Sequence, residues 1–130
     1  MKDNNKFDNV KTETEILREE FEAKVKEFID NAITYCIKKE VLKFRVSTWD
    51  RSYPHRCKDG QETYFDSTVR LQDIWTDDKY REFNNEEFLL KIIEEYKRDN
   101  IIINCKKNDH GFYHYYLDFD ISELLKNREK

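Results

Sequence analysis

The stretch that decides the fold is 83–121, FNNEEFLLKIIEEYKRDNIIINCKKNDHGFYHYYLDFDI. It reads as one amphipathic helix running into one β-hairpin. Asn84, with Glu87 three residues on, has the spacing of a helix N-cap, and Phe83 and Phe88 stand where a hydrophobic staple would close over it. Phe88, Leu89, Ile92, Ile93 and Tyr96 recur at three and four, which is one buried helical stripe. Past it the period falls to two. Ile101, Ile103 and Cys105 share one face, and after the KNDHG turn so do Tyr113, Tyr115, Leu117, Phe119 and Ile121. A helix with one apolar stripe and a hairpin with one apolar face each need a partner to bury against.

Upstream the same two periods return. A helix is expected from Thr12, which forms a capping box with Glu15. Its stripe is Leu17, Phe21, Val25, Phe28, Ile29, Ala32, Ile33, Cys36 and Ile37, ending near Lys38 or Lys39, where cationic side chains favour the negative end of the helix. Residues 41–49 alternate: Leu42, Phe44, Val46 and Thr48 toward the core, Lys43, Arg45, Ser47 and Trp49 away from it. Residues 50–82 form an insertion. It opens with the turn-rich DRSYPHRCKDG, and a second strand is expected where Thr63, Phe65, Ser67, Val69 and Leu71 alternate with polar neighbours. QDIWTDDKYRE then follows as a loop or short helix. Ser122 is expected to cap a short terminal helix through Leu124 and Leu125. Residues 1–11 are polar and expected to be a flexible N-terminus, and 12–130 a single domain. The packing that buries every stripe is α+β: an antiparallel or mixed sheet of three to four strands, two main helices on one face, and a short C-terminal helix. Phe44, Ile92, Ile103 and Leu117 are expected to meet in one core.

Composition narrows the function. Charged residues make up 40% of the chain, which alone would suggest disorder, but nine Phe, eight Tyr and two Trp supply a core. The net charge of −4, with both signs interspersed, makes nucleic acid an unlikely partner, since such binders carry a basic excess or stripe. No apolar run nears the ~20 residues that span a bilayer, and MKDNNKFDNV has no apolar signal-peptide core. Cys36, Cys57 and Cys105 are odd in number and widely spaced, as reduced thiols of a cytoplasmic protein would be.

Catalytic patterns are thin. Zinc needs about four ligands, commonly from two close pairs, and His55 with Cys57 is a single pair, so neither a structural zinc nor a disulfide is expected. His114, Tyr116, Asp118 and Asp120 project from the hairpin face opposite the core. His114 and Asp118 stand roughly 13 Å apart along a strand, too far to share a metal or a proton. Asp118 and Asp120 are roughly 7 Å apart, a spacing compatible with paired carboxylates, but nothing else around them resembles such a site and a solvated strand face is the reading adopted. No nucleophile elbow or phosphate loop occurs, so no catalytic residue, metal or cofactor is assigned. The acidic run Glu13, Glu15, Glu19, Glu20 and Glu22 is broken by Arg18 and Lys24, as on an ordinary solvated helix face. More suggestive is a patch that mixes Arg with aromatics: Trp49, Arg51, Tyr53, His55, Arg56, Lys58 and Tyr64. With His114 and Tyr116 of the outer hairpin face it forms the candidate binding surface, because Trp, Tyr and Arg dominate interface hot spots.

The order of elements in KVKEFIDNAITYCIKKEVLKFRV (24–46) and EEFLLKIIEEYKRDNIIINCKKNDHGFYHYYLDFDI (86–121) resembles a loose group of small α+β accessory proteins of phages and large viruses. The matching residues cover about half the chain, and the insertion at 50–82 departs from the pattern. The resemblance implies no catalytic residues. That group has no established function; the reading adopted for this chain is a small non-enzymatic binding protein of the host cell cytoplasm, a viral or phage accessory factor acting by protein–protein contact as an inhibitor of a host or defence factor. The alternatives are a self-assembling structural component such as a minor virion protein, and a small hydrolase or nuclease using the hairpin's acidic and His residues. A monomer in solution favours the binder and a stable homo-oligomer the structural role.

Overall fold

The computed structural model describes residues 6–48, 54–56, 62–64, 70–107 and 114–128, with backbone alone for 54–56 and 62–64. The first helix, α1 (Glu13–Lys39), starts where the capping box places it. The Glu15 N–H donates to Thr12 Oγ1 at 3.1 Å, and Thr12 Oγ1 donates in turn to Glu15 Oε1 at 3.2 Å. Phe21, Val25, Phe28, Ile29, Ala32, Ile33 and Cys36 are all buried, so the stripe seen in the sequence is the buried one. Glu40 ends the helix in the left-handed region at φ 53°. The Val41 N–H reaches Cys36 O and the Glu40 N–H reaches Ile37 O, the paired bonds of a Schellman motif. This reversal tucks Val41 into the core at 2% exposure and leaves Leu42 at 50%. Leu42 was expected on the core face; the inward alternation begins instead at Phe44.

Strand β1 (Lys43–Ser47) pairs antiparallel with β5 (Tyr115–Asp120), which pairs antiparallel with β4 (Ile102–Lys107), giving one sheet in the order β1-β5-β4. Phe44, Phe119 and Ile103 align across the inner face, as do Val46, Leu117 and Cys105. Phe44, Ile92, Ile103 and Leu117 lie in one hydrophobic core with the α1 stripe, as expected. The fold class is thus α+β with a three-stranded antiparallel sheet.

The insertion departs from its sequence reading. Short strands β2 (Pro54–Arg56) and β3 (Glu62–Tyr64) pair with each other and not with the main sheet. Of the expected second strand, Thr63 lies in β3 and residues 65–69 fall outside the described residues. Leu71 opens a helix, α2 (Leu71–Trp75), because Leu71, Ile74 and Trp75 recur at three and four and all three are buried. A 3₁₀ turn, Asp78–Tyr80, follows. Trp75 and Tyr80 are among the largest fully buried side chains, and Phe21 of α1 packs against Trp75, Tyr80 and Phe83 at ring-centroid distances of 6.1, 5.4 and 6.0 Å. The segment read as a loop or short helix therefore supplies a large share of the core.

Helix α3 (Glu86–Glu94) is capped by Asn85, not Asn84. Asn85 Oδ1 accepts the Phe88 N–H at 3.1 Å, while Asn84 Nδ2 is drawn away to donate to the Trp75 carbonyl at 2.8 Å. Phe83 and Phe88 still meet edge to face at 5.2 Å. The helix tightens into a 3₁₀ turn, Glu95–Asp99, and ends at Asn100, φ 62°, in a second Schellman motif: Asn100 N–H to Lys97 O, Ile101 N–H to Tyr96 O. Tyr96 ties this end to α1, its hydroxyl donating to Asp30 Oδ1 at 2.8 Å. Ser122, expected as an N-cap, is instead the first residue of α4 (Ser122–Arg128), and its N–H donates to Asp120 Oδ1 at 2.9 Å.

Candidate binding surface

Because β1, β5 and β4 run in fixed register, the outward residues form three rows. Lys43, Asp120 and Ile102 make one row; Arg45, Asp118 and Asn104 the next; Ser47, Tyr116 and Lys106 the third. Lys43, Arg45, Ile102, Asn104 and Lys106 are exposed, whereas Ser47 is fully buried.

The centre of this face is pre-organised. Arg45 Nε donates to Asp118 Oδ1 at 2.6 Å and its Nη2 to Oδ2 at 3.0 Å, a bidentate fork. The same guanidinium lies 4.7 Å from the centre of the Tyr116 ring. Lys106 approaches Asp118 Oδ2 at 3.6 Å. The Arg45 hydrogen bonds, and then the two cations, hold the Asp118 carboxyl below the usual carboxylate range against the opposing effect of burial. Asp120 is also held low, through its hydrogen bonds with Ser122. The two carboxylates considered as a catalytic pair are thus each committed to a structural partner.

Of the residues singled out in the sequence, Tyr116 lies on this face, half-buried beside Arg45. Trp49, Arg51, Tyr53 and Lys58 lie outside the described residues. His55, Arg56 and Tyr64 belong to the β2–β3 ladder, where they stand opposite Thr63, Glu62 and Pro54. His114 corrects the expectation of a solvated position: it is 8% exposed. Thr48 Oγ1 accepts the Tyr115 N–H at 2.9 Å and lies 3.1 Å from His114 Nδ1. Burial lowers the His114 pKa and keeps the ring neutral.

Arg45 and Lys106 were missed as site residues. Alternation already placed Arg45 outward, but its pairing with Asp118, 73 positions away, needs the register. A second polar cluster was missed as well. Buried Tyr80 donates its hydroxyl to Glu20 Oε1, and Lys79 and Lys24 reach the same oxygen at 3.2 and 3.4 Å. The Tyr80 hydrogen bond and then Lys79 bring the Glu20 carboxyl down to about 2. This cluster pins the 3₁₀ turn onto α1. An open cleft of about 210 Å³ nearby, lined by Thr14, Leu17, Asp78, Lys79, Arg81, Glu82 and Phe83, carries both signs of charge.

Among the described residues no three His, Cys, Asp or Glu side chains stand close enough to hold a metal ion. Burial pushes the Cys36 and Cys105 thiols up to about 12, far from the thiolate a nucleophile needs. No helix of the described residues is long and apolar enough to cross a membrane. The chain matches no protein-family model, no curated protein and no solved structure.

Proposed function

We propose that this chain is a small binding protein, not an enzyme, that works by protein–protein contact through the outer face of its sheet. The observation that carries the reading is the Arg45–Asp118–Tyr116 arrangement. A rigid guanidinium, stacked on an aromatic ring and clamped by a carboxylate, has given up most of its rotamer freedom before any partner arrives, so docking against it loses less entropy. Lys43, Asn104 and Lys106 surround it with polar groups, and Ile102 adds an exposed apolar side chain. The patch Trp49, Arg51, Tyr53, His55, Arg56, Lys58 and Tyr64 belongs to the same proposal as its second half, since in sequence Trp49 stands two residues past Ser47, the last residue of β1. The likeness to phage and large-virus accessory proteins points to a host or defence factor as the partner and to host cytoplasm as the place of action. The carboxylates of the hairpin favour this reading over the hydrolase, because each is occupied by its own partner.

The test compares wild type with Arg45→Ala/Tyr116→Ala and with Trp49→Ala/Arg56→Ala as affinity baits in extract of the native host. Melting curves run alongside. A folded variant that loses a protein held by wild type supports the surface. Variants that hold the same proteins equally well remove it.

A further inference from the structure

On the outer sheet face the two signs of charge are not equally open to solvent. Lys43, Arg45 and Lys106 are exposed, with 45% of the Arg45 and 63% of the Lys106 side chain accessible. Asp118 and Asp120 are half-buried, with 26% of the Asp118 side chain accessible. Both carboxylates are also committed. Asp118 serves two cations at once, bonded by Arg45 through both oxygens and approached by Lys106 at 3.6 Å. Asp120 Oδ1 accepts the Ser122 N–H at 2.9 Å. Every exposed charged side chain of this face is therefore positive, on a chain whose net charge is −4.

The placement of the charges narrows what fits. Lys43 and Arg45 stand on β1, roughly 7 Å apart along the strand, and Lys106 stands on β4, two strand spacings or roughly 10 Å across the sheet. The strand between them, β5, carries Asp118 and Asp120. Ile102, 48% exposed, and the half-buried Tyr116 ring add apolar surface. A ligand suited to this face sets negative groups over the two outer strands and keeps them off the middle one. A phosphate backbone repeats its charge at every nucleotide and would carry it over Asp118 and Asp120 as well. A peptide can hold two acidic residues apart with an apolar one between.

We propose that the partner presents an acidic segment to this face, with Asp or Glu residues on either side of an apolar residue. One carboxylate meets Lys43 and Arg45, the other meets Lys106, and the apolar side chain lies against Tyr116 or Ile102. The proposal rests on the reading of this face as the binding surface and adds the chemistry of what binds there. Complementary charge of this kind speeds encounter and rejects partners of the wrong sign.

The test selects phage-displayed random dodecapeptides on the full-length chain. The peptides obtained are then titrated against wild type, Arg45→Ala/Tyr116→Ala and Lys43→Glu/Lys106→Glu, with melting curves run alongside. A twelve-nucleotide oligo-dT is titrated as the phosphate probe. Peptides that need Arg45 and Tyr116 should be rich in Asp and Glu, weaken as salt is raised, and bind the charge-reversed variant about tenfold or more weaker. They should outbind oligo-dT. If the reversed variant does not fold, Lys43→Gln/Lys106→Gln takes its place, with a smaller loss expected. Peptides that need Arg45 and Tyr116 but show no acidic excess overturn the proposal and leave the surface reading standing. Acid-rich peptides indifferent to the substitutions at Lys43 and Lys106 overturn it too. Tighter binding of oligo-dT assigns the face to nucleic acid instead. A selection that yields no peptide dependent on Arg45 and Tyr116 removes both the acidic partner and the surface.

Discussion

His114 shows how much a single residue's surroundings alter its chemistry. On a solvated strand face it would titrate near its ordinary pKa of 6.5, but here it is buried against Thr48 and its pKa is lowered. A folded-state pKa below the unfolded one means the unfolded chain binds the extra proton first. Stability is therefore fully present above pH 6.5 and falls as pH drops toward the lower folded-state value. We expect the melting temperature to decline between pH 7 and pH 5, and His114→Gln to flatten that decline. Equal slopes in the two proteins would show that His114 titrates as a solvated group. Arg45 makes the complementary point: half-exposed, it owes its order to Asp118 and Tyr116 and not to burial.

At the scale of elements, both main helices end the same way. Each closes with a left-handed residue, Glu40 or Asn100, followed by a buried β-branched residue, Val41 or Ile101. Asn tolerates that conformation through local hydrogen bonding, whereas Glu gains nothing from it. Asn100→Val should therefore cost about 1–2 kcal/mol, because a β-branched side chain resists positive φ. Asn85→Ala should cost about 0.5–2 kcal/mol through loss of the cap on Phe88. Urea denaturation measures both, and an Asn85→Ala protein as stable as wild type would return the cap to Asn84. The limits of α1, the Phe83–Phe88 contact and the apolar phase of β4 and β5 were legible, because each depends on neighbours within four positions. The cap was misplaced by one residue because Asn84 is claimed by the Trp75 carbonyl, a contact no local spacing reveals.

For the whole molecule, β5 is the organising strand. It pairs on both sides, and Leu117, fully buried, stands between Val46 and Cys105 at its centre. Leu117→Ala should cost about 2–5 kcal/mol, the range for emptying a packed site, with a correspondingly lower melting temperature. An unchanged melting curve would place Leu117 outside the core. Periodicity alone determined that this chain is α+β, which stripes of α1 and α3 face inward, and which face of β4 and β5 is apolar. Only the tertiary structure decided that Trp75 and Tyr80 are core, that Leu42 is exposed and His114 buried, and that Arg45 meets Asp118. The physical reason is range. A helix or strand advertises its buried face through residues two to four apart, whereas a contact between positions 73 apart exists only once strand order and register are set.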